Sequence, residues 1–201
     1  MSVITRETKE THISVELARG TGAAEVETGE RFLDHMLATF ARYARLDLTV
    51  RAHGDLRHHL IEDVAICVGA AVADLLPRSA ARYGDRTVPM DDALVHCAID
   101  AGGRPYYRGP LPSSLYDHWM RSFADNARAT LHLRVLRGTD RHHIVEAAFK
   151  ALGLALRDAL AEVGDNGTVF STKGAVRLRD ERSGMRDESA PPLSSSLAPR
   201  P

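Results

Sequence analysis

The chain is short of several things at once: it has only two cysteines, almost no net charge and no apolar run near the roughly 18 residues that a membrane span needs. Cys67 and Cys97 each lie inside an apolar stretch, which suits a small buried thiol better than a disulfide or a nucleophile. That usage fits a reducing compartment. With 26 basic against 27 acidic residues there is no broad cationic footprint for nucleic acid. The opening Met1-Ser2-Val3-Ile4-Thr5-Arg6-Glu7 lacks the basic-then-apolar order of a secretory leader, so a soluble cytoplasmic protein with no membrane partner is expected. Two catalytic signatures are missing as well, the His-Glu-x-x-His helix of zinc proteases and the glycine-rich phosphate loop of nucleotide-binding enzymes.

What the chain does have is a repeated word. Arg57-His58-His59-Leu60-Ile61-Glu62 and Arg141-His142-His143-Ile144-Val145-Glu146 stand 84 positions apart and hold four of the ten histidines. If each word opens a helix, the glutamate lies three and four residues after the two histidines, the spacings that share a helix face. Adjacent histidines diverge by about 100° around the axis, so one can join the glutamate while its neighbour reaches a different ion. Each word also has an outlying histidine. His35 lies in Arg31-Phe32-Leu33-Asp34-His35-Met36-Leu37, where Asp34 could orient the ring, and His132 lies in an alternating segment from Leu131 to Leu136. Eight candidate metal ligands result: His35, His58, His59, Glu62, His132, His142, His143 and Glu146. Imidazoles with one carboxylate per site are compatible with manganese, iron, cobalt, nickel or zinc.

The 201 residues, 44% hydrophobic, are enough for one compact domain or two intimately packed halves. His12 to Leu17 alternates as a strand, Gly20-Thr21-Gly22 turns the chain, and Ala24 to Glu27 reads as the returning strand of an opening hairpin. Phe32 to Tyr43 predicts a helix, Arg45 to Ala52 a strand, and His58 to Leu76 an apolar helix ended by Pro77. The order then recurs, with an apolar strand in Pro89 to Ala101, a helix over Asp117 to Arg128, a strand over Thr130 to Leu136 and a long helix from His142 to Val163. The expected fold is α+β: residues 1–85 and 86–177 form two similar halves, each a small mixed sheet with helices on one face, and the helices pack between the sheets. Residues 178–201, rich in serine, proline and charge, read as an inert disordered tail.

A wider set of motifs accompanies the two words. Thr8-Lys9-Glu10-Thr11, Thr28-Gly29, Phe32-Leu33-Asp34-His35-Met36-Leu37, Gly54-Asp55-Leu56, Pro89-Met90-Asp91, Gly103-Arg104-Pro105, Thr130-Leu131-His132 and Ser171-Thr172-Lys173-Gly174 occur in the order seen in imidazoleglycerol-phosphate dehydratases, which this chain resembles over roughly residues 6 to 176. The resemblance implies a manganese-dependent hydro-lyase of histidine biosynthesis with two Mn²⁺ per active site. It groups His35, His59, Glu62 and His142 around one ion, and His58, His132, His143 and Glu146 around the other. It also implies proton transfer by Glu10, with Glu62 or Glu146 as nearby candidates, and phosphate contacts from Arg104, Arg108, Lys150, Ser171, Thr172 and Lys173. Family members form a 24-subunit homo-oligomer, which the likeness makes the expectation here.

Three positions depart from the family pattern. Tyr43 stands where a substrate-contacting histidine is usual, the link from Leu56 to His58 is short, and the segment between Arg104 and Asp117 is abbreviated. A divergent lyase or hydrolase acting on another phosphorylated small molecule is therefore the alternative reading, with a non-catalytic metal-binding assembly protein behind it.

Overall fold

In strand β2 (Thr11–Arg19), Ile13, Val15 and Leu17 have no solvent exposure while His12 and Glu16 face out, the signature of a sheet wet on one side. The same alternation runs through β4 (Leu46–Gly54), β6 (Ala93–Asp100) and β8 (Thr130–Arg137). These strands form the middles of two four-stranded sheets in the computed structural model, which describes residues 1–163. The first has the order β1-β2-β4-β3, with β1 (Ser2–Glu7) antiparallel to β2 and β3 (Ala24–Glu27) parallel to β4. The second repeats it as β5-β6-β8-β7, with β5 (Tyr83–Met90) antiparallel to β6 and β7 (Tyr106–Arg108) parallel to β8.

The structure corrects the strand reading in two places. Strands β2 and β3 are not a hairpin, because β4 lies between them. The cause is Asp47, whose Oδ1 accepts from the backbone N–H groups of Thr21, Gly22 and Ala23 at 2.9, 3.0 and 3.0 Å. The loop thus wraps around the start of β4, and Leu48 N–H bonds to Ala23 O at 2.9 Å to begin the parallel pairing on the far side. The segment Pro89 to Ala101 is not one strand but the end of β5, a turn with Asp91 at φ 47°, and β6. Pro89 is tolerated in β5 because that strand lies at a sheet edge. Strands β1 and β7 escape the pattern altogether: β1 turns Ser2 and Arg6 as well as Ile4 inward, and β7 is three residues long.

Helix α1 (Arg31–Ala44) buries Leu33, Met36, Leu37, Phe40, Ala41 and Ala44, one stripe at helical spacing. Helix α2 (Arg57–Leu75) lies on β1 and β2 and packs against α3 (Ser114–Asn126), whereas α4 (Arg141–Ala159) lies on β5 and β6 and packs against α1. Each half therefore leans on a helix of the other, and the four helices sit between the sheets as expected. Two glycines 84 positions apart permit that closeness. A Cβ on Gly69 would stand 2.6 Å from Phe123 O, and one on Gly153 would stand 2.9 Å from Phe40 O, both backbone atoms. Phe40, Trp119, Phe123 and Phe149 join the halves in one aromatic cluster, with Trp119 and Phe149 centroids 4.6 Å apart.

No helix among the described residues is long and apolar enough to cross a membrane. The expected tail at 178–201 lies outside the described residues, as do Ser171, Thr172 and Lys173.

Candidate metal centre

Both His-His words open helices, as their spacing predicts. At α4 the N-cap Asp140 accepts from His142 N–H and His143 N–H at 2.7 and 3.3 Å, which holds the first turn firmly. His142 and Glu146 then share a face, with Nε2 3.1 Å from Oε2, and His35 of α1 brings its Nε2 to 3.3 Å from the same oxygen. Phe32 packs on the His142 ring at a centroid distance of 5.1 Å. The expected orienting of His35 by Asp34 is not found; Asp34 Oδ1 instead accepts from Thr28 N–H at 3.1 Å and Thr28 Oγ1 at 2.5 Å. The Glu146 side chain is only 9% exposed. Burial pushes its pKa up, but hydrogen bonds from Lys150 Nζ at 2.9 Å and from His35 outweigh this and hold it below the usual carboxylate value.

A second cluster mirrors the first. On α2, His58 Nε2 lies 3.5 Å from Glu62 Oε2, and His118 of α3 places its Nε2 3.2 Å from Glu62 Oε1. The His58 and His118 rings stack at 5.2 Å. Sequence reasoning missed His118, although a signal was present: it is the fifth residue of α3 just as His35 is the fifth of α1. His35, His142 and Glu146 can hold one ion, and His58, Glu62 and His118 another, since the ligand atoms in each trio lie within 4.8 Å of one another. The donor chemistry fits a borderline divalent cation. His118 Nε2 adds an independent sign, being shut off from solvent with no well-formed hydrogen bond while facing a carboxylate.

The expected pairing is thus not the one found within a chain, because Glu62 and Glu146 each meet the histidine of their own word, four residues earlier, and one from the opposite half. His59 and His143 turn away from both trios. His59 Nδ1 meets Asp55 Oδ1 at 3.0 Å and lies 3.5 Å from Glu10 Oε2, while His143 Nδ1 meets Asp92 Oδ1 at 2.8 Å. Donating to these aspartates raises the pKa of both imidazoles. His132 joins neither trio; it is exposed on β8, with its ring 5.6 Å from that of Tyr106.

Glu10 is exposed in the β1–β2 turn, where Thr8 Oγ1 accepts from its N–H at 3.1 Å. Lys150 lies over the Tyr43 ring at 5.9 Å as well as against Glu146, so Tyr43 borders the first trio through that lysine. Arg104 and Arg108 are exposed. Arg108 lines a cavity of about 350 Å³ with Tyr106, Tyr107 and Arg121, beside the helix that carries His118.

Comparison with known proteins adds to this geometry. The family profile of imidazoleglycerol-phosphate dehydratase matches residues 28–156. The imidazoleglycerol-phosphate dehydratase of Salinibacter ruber is 46% identical over 191 residues, covering 87% of this chain and 95% of that protein. The one from Methanoculleus marisnigri is 45% identical, with 87% and 98% covered. Among solved structures, the Pyrococcus furiosus enzyme in complex with (S)-C348 is similar at a TM-score of 0.77 and 42% identity, covering 86% of this chain and all of that one. The Staphylococcus aureus enzyme is similar at 0.71 and 31%, covering 81% of this chain and all of the other.

Proposed function

The chain belongs to the imidazoleglycerol-phosphate dehydratase family, and from that premise we propose that it removes water from imidazole glycerol phosphate to give imidazole acetol phosphate, in the cytoplasmic synthesis of histidine. The observation that carries this reading is the pair of His-His-Glu trios, each assembled from both halves of the duplicated fold.

Two Mn²⁺ ions are the proposed cofactors, one held by His35, His142 and Glu146 and the other by His58, Glu62 and His118. Bound there, divalent cations supply Lewis acidity to an azole ring and so ease loss of its protons. His118, not His132, is the ligand favoured by the fold. His59 and His143 point away from the trios of their own chain, which supports an assembly in which each completes a site on a neighbouring copy, the 24-subunit shell being the form expected from the family.

The remaining work falls to side chains that bind, orient and move protons. Glu10 stands 3.5 Å from an outward histidine and is free to take a proton from substrate carbon or return one to the departing hydroxyl. Lys150 neutralises the buried side of Glu146 and adds positive charge near the first trio, where a substrate phosphate can be drawn in. Arg104 and Arg108 are accessible for bidentate contacts to such a group, and the family resemblance alone adds Ser171, Thr172 and Lys173 as candidates. Tyr43 of α1, beneath Lys150, is a further proposed substrate contact on that side of the first trio.

The test is to incubate manganese-loaded protein with imidazole glycerol phosphate and assay the acetol phosphate. Formation of that product is the expected result. Its absence from protein with intact metal content rejects the reading.

A further inference from the structure

In each His-His word one ring faces a glutamate and the other is gripped by an aspartate that belongs to neither trio. His143 Nδ1 meets Asp92 Oδ1 at 2.8 Å. The other oxygen of Asp92 is fully engaged, accepting from Thr139 N–H at 2.7 Å, Thr139 Oγ1 at 3.2 Å and Asp140 N–H at 3.1 Å. The carboxylate is therefore fixed by the turn that leads into α4, while Asp140 fixes the backbone of His143. In the first half Asp55 Oδ1 accepts from Leu56 N–H at 2.6 Å and meets His59 Nδ1 at 3.0 Å. The second contact on each ring is weaker: Glu10 Oε2 lies 3.5 Å from His59 Nδ1, and Asp91 Oδ2 lies 3.4 Å from His143 Nε2 on a side chain that is 70% exposed and free to swing aside.

An ionised carboxylate only accepts hydrogen bonds, so a neutral imidazole paired to one must carry its proton on the paired nitrogen. The lone pair then sits on the other nitrogen. We propose that Asp92 and Asp55 are positioning residues that lock His143 and His59 as Nδ1–H tautomers, so that Nε2 is the atom each outward ring presents to a cation. This rests on the metal-dependent reading above, and it adds what makes the outward histidines competent ligands.

The sharper variant is Asp92→Asn. The Thr139 and Asp140 N–H groups hold the amide oxygen, which turns the amide NH₂ toward Nδ1. Nδ1 must then accept, and the ring proton moves to Nε2. We expect D92N to melt and assemble as the wild type does, yet to bind one of its two Mn²⁺ ions about 10- to 100-fold more weakly with the other unchanged, and to lose kcat in step. At Asp55 one oxygen serves both Leu56 N–H and the His59 ring, so there the matching variant is Asp55→Ala, which removes the acceptor and should loosen the other ion instead. A merely structural role for Asp92 would lower melting temperature or assembly and spare that selectivity. Wild-type affinity for both ions in an intact D92N assembly overturns the proposal.

Should D92N fail to fold, carbon-13 shifts of ring-labelled histidine in the metal-free wild type decide the matter, with His143 assigned by its loss in H143Q. An Nδ1–H tautomer supports the inference and an Nε2–H tautomer defeats it. Wild-type protein that binds manganese but does not turn over imidazole glycerol phosphate would instead reject the functional reading, which keeps the two failures apart.

Discussion

His35 and His118 hold the same place in two copies of one design: each is the fifth residue of its helix, and each reaches across to a glutamate of the opposite half, at 3.3 Å and 3.2 Å. The equivalence predicts equal consequences. His118→Ala should lower manganese content as far as His35→Ala does, while His132→Ala should leave within-chain binding in place. Metal analysis of the purified variants decides it, and a His118 variant with full manganese content would remove that residue from the ligand set.

The α2–α3 and α1–α4 contacts should be intolerant of a single methyl group. Gly69→Ala and Gly153→Ala each drive a Cβ toward a backbone carbonyl of the facing helix, so a helix must shift. We expect a loss of about 1–3 kcal/mol for each, typical of overpacking in a tight core. Denaturant unfolding measures it, and a change within about 0.5 kcal/mol would show that the helices have room to spare.

Asp47 should give the fold a pH-dependent anchor. Backbone hydrogen bonds from Ala23 and Thr21, with a further one from Gly22, hold its pKa below the ordinary 3.8. A depressed carboxyl pKa contributes stability that is present above the unfolded value and lost as pH falls through the folded one. Asp47→Asn should therefore unfold at lower urea than the wild type at pH 7, with the gap closing below about pH 3.8, the reference value of the unfolded group. A gap that stays constant down to pH 2 would mean that the loop does not depend on the charge.

The thiols should be silent until the chain opens. Burial pushes Cys67 up to about 11 and Cys97 further still, and both are buried. Native protein at pH 8 should resist iodoacetamide, and denatured protein should take up two equivalents. Fast labelling of the native state would contradict the packing of α2 or β6.

These outcomes also mark how far local pattern reaches. The alternation of Ile13, Val15 and Leu17 and the apolar run after His58 are short-range signals set by burial of one face, and they predicted β2 and α2 within a residue or two. The order β1-β2-β4-β3 depends on which strand Asp47 draws its loop around, a contact spanning some 25 residues that no periodicity encodes. The two words offered six candidate ligands directly, and the four that fall in the trios, His58, Glu62, His142 and Glu146, are paired by helical spacing. His118 was hidden because Trp119, not a second histidine, follows it, so only alignment of α1 with α3 exposes it. The Asp92 grip on His143 lies beyond sequence inspection for the same reason as Asp47, since 51 residues separate the partners.

Because each trio takes a histidine from one half and a His-Glu pair from the other, a polypeptide carrying a single half could build such a trio only by meeting its own twin in solution. Joining the halves makes that encounter intramolecular and removes its dependence on dilution. The geometry of each trio is thereby set within one chain, whatever the protein concentration.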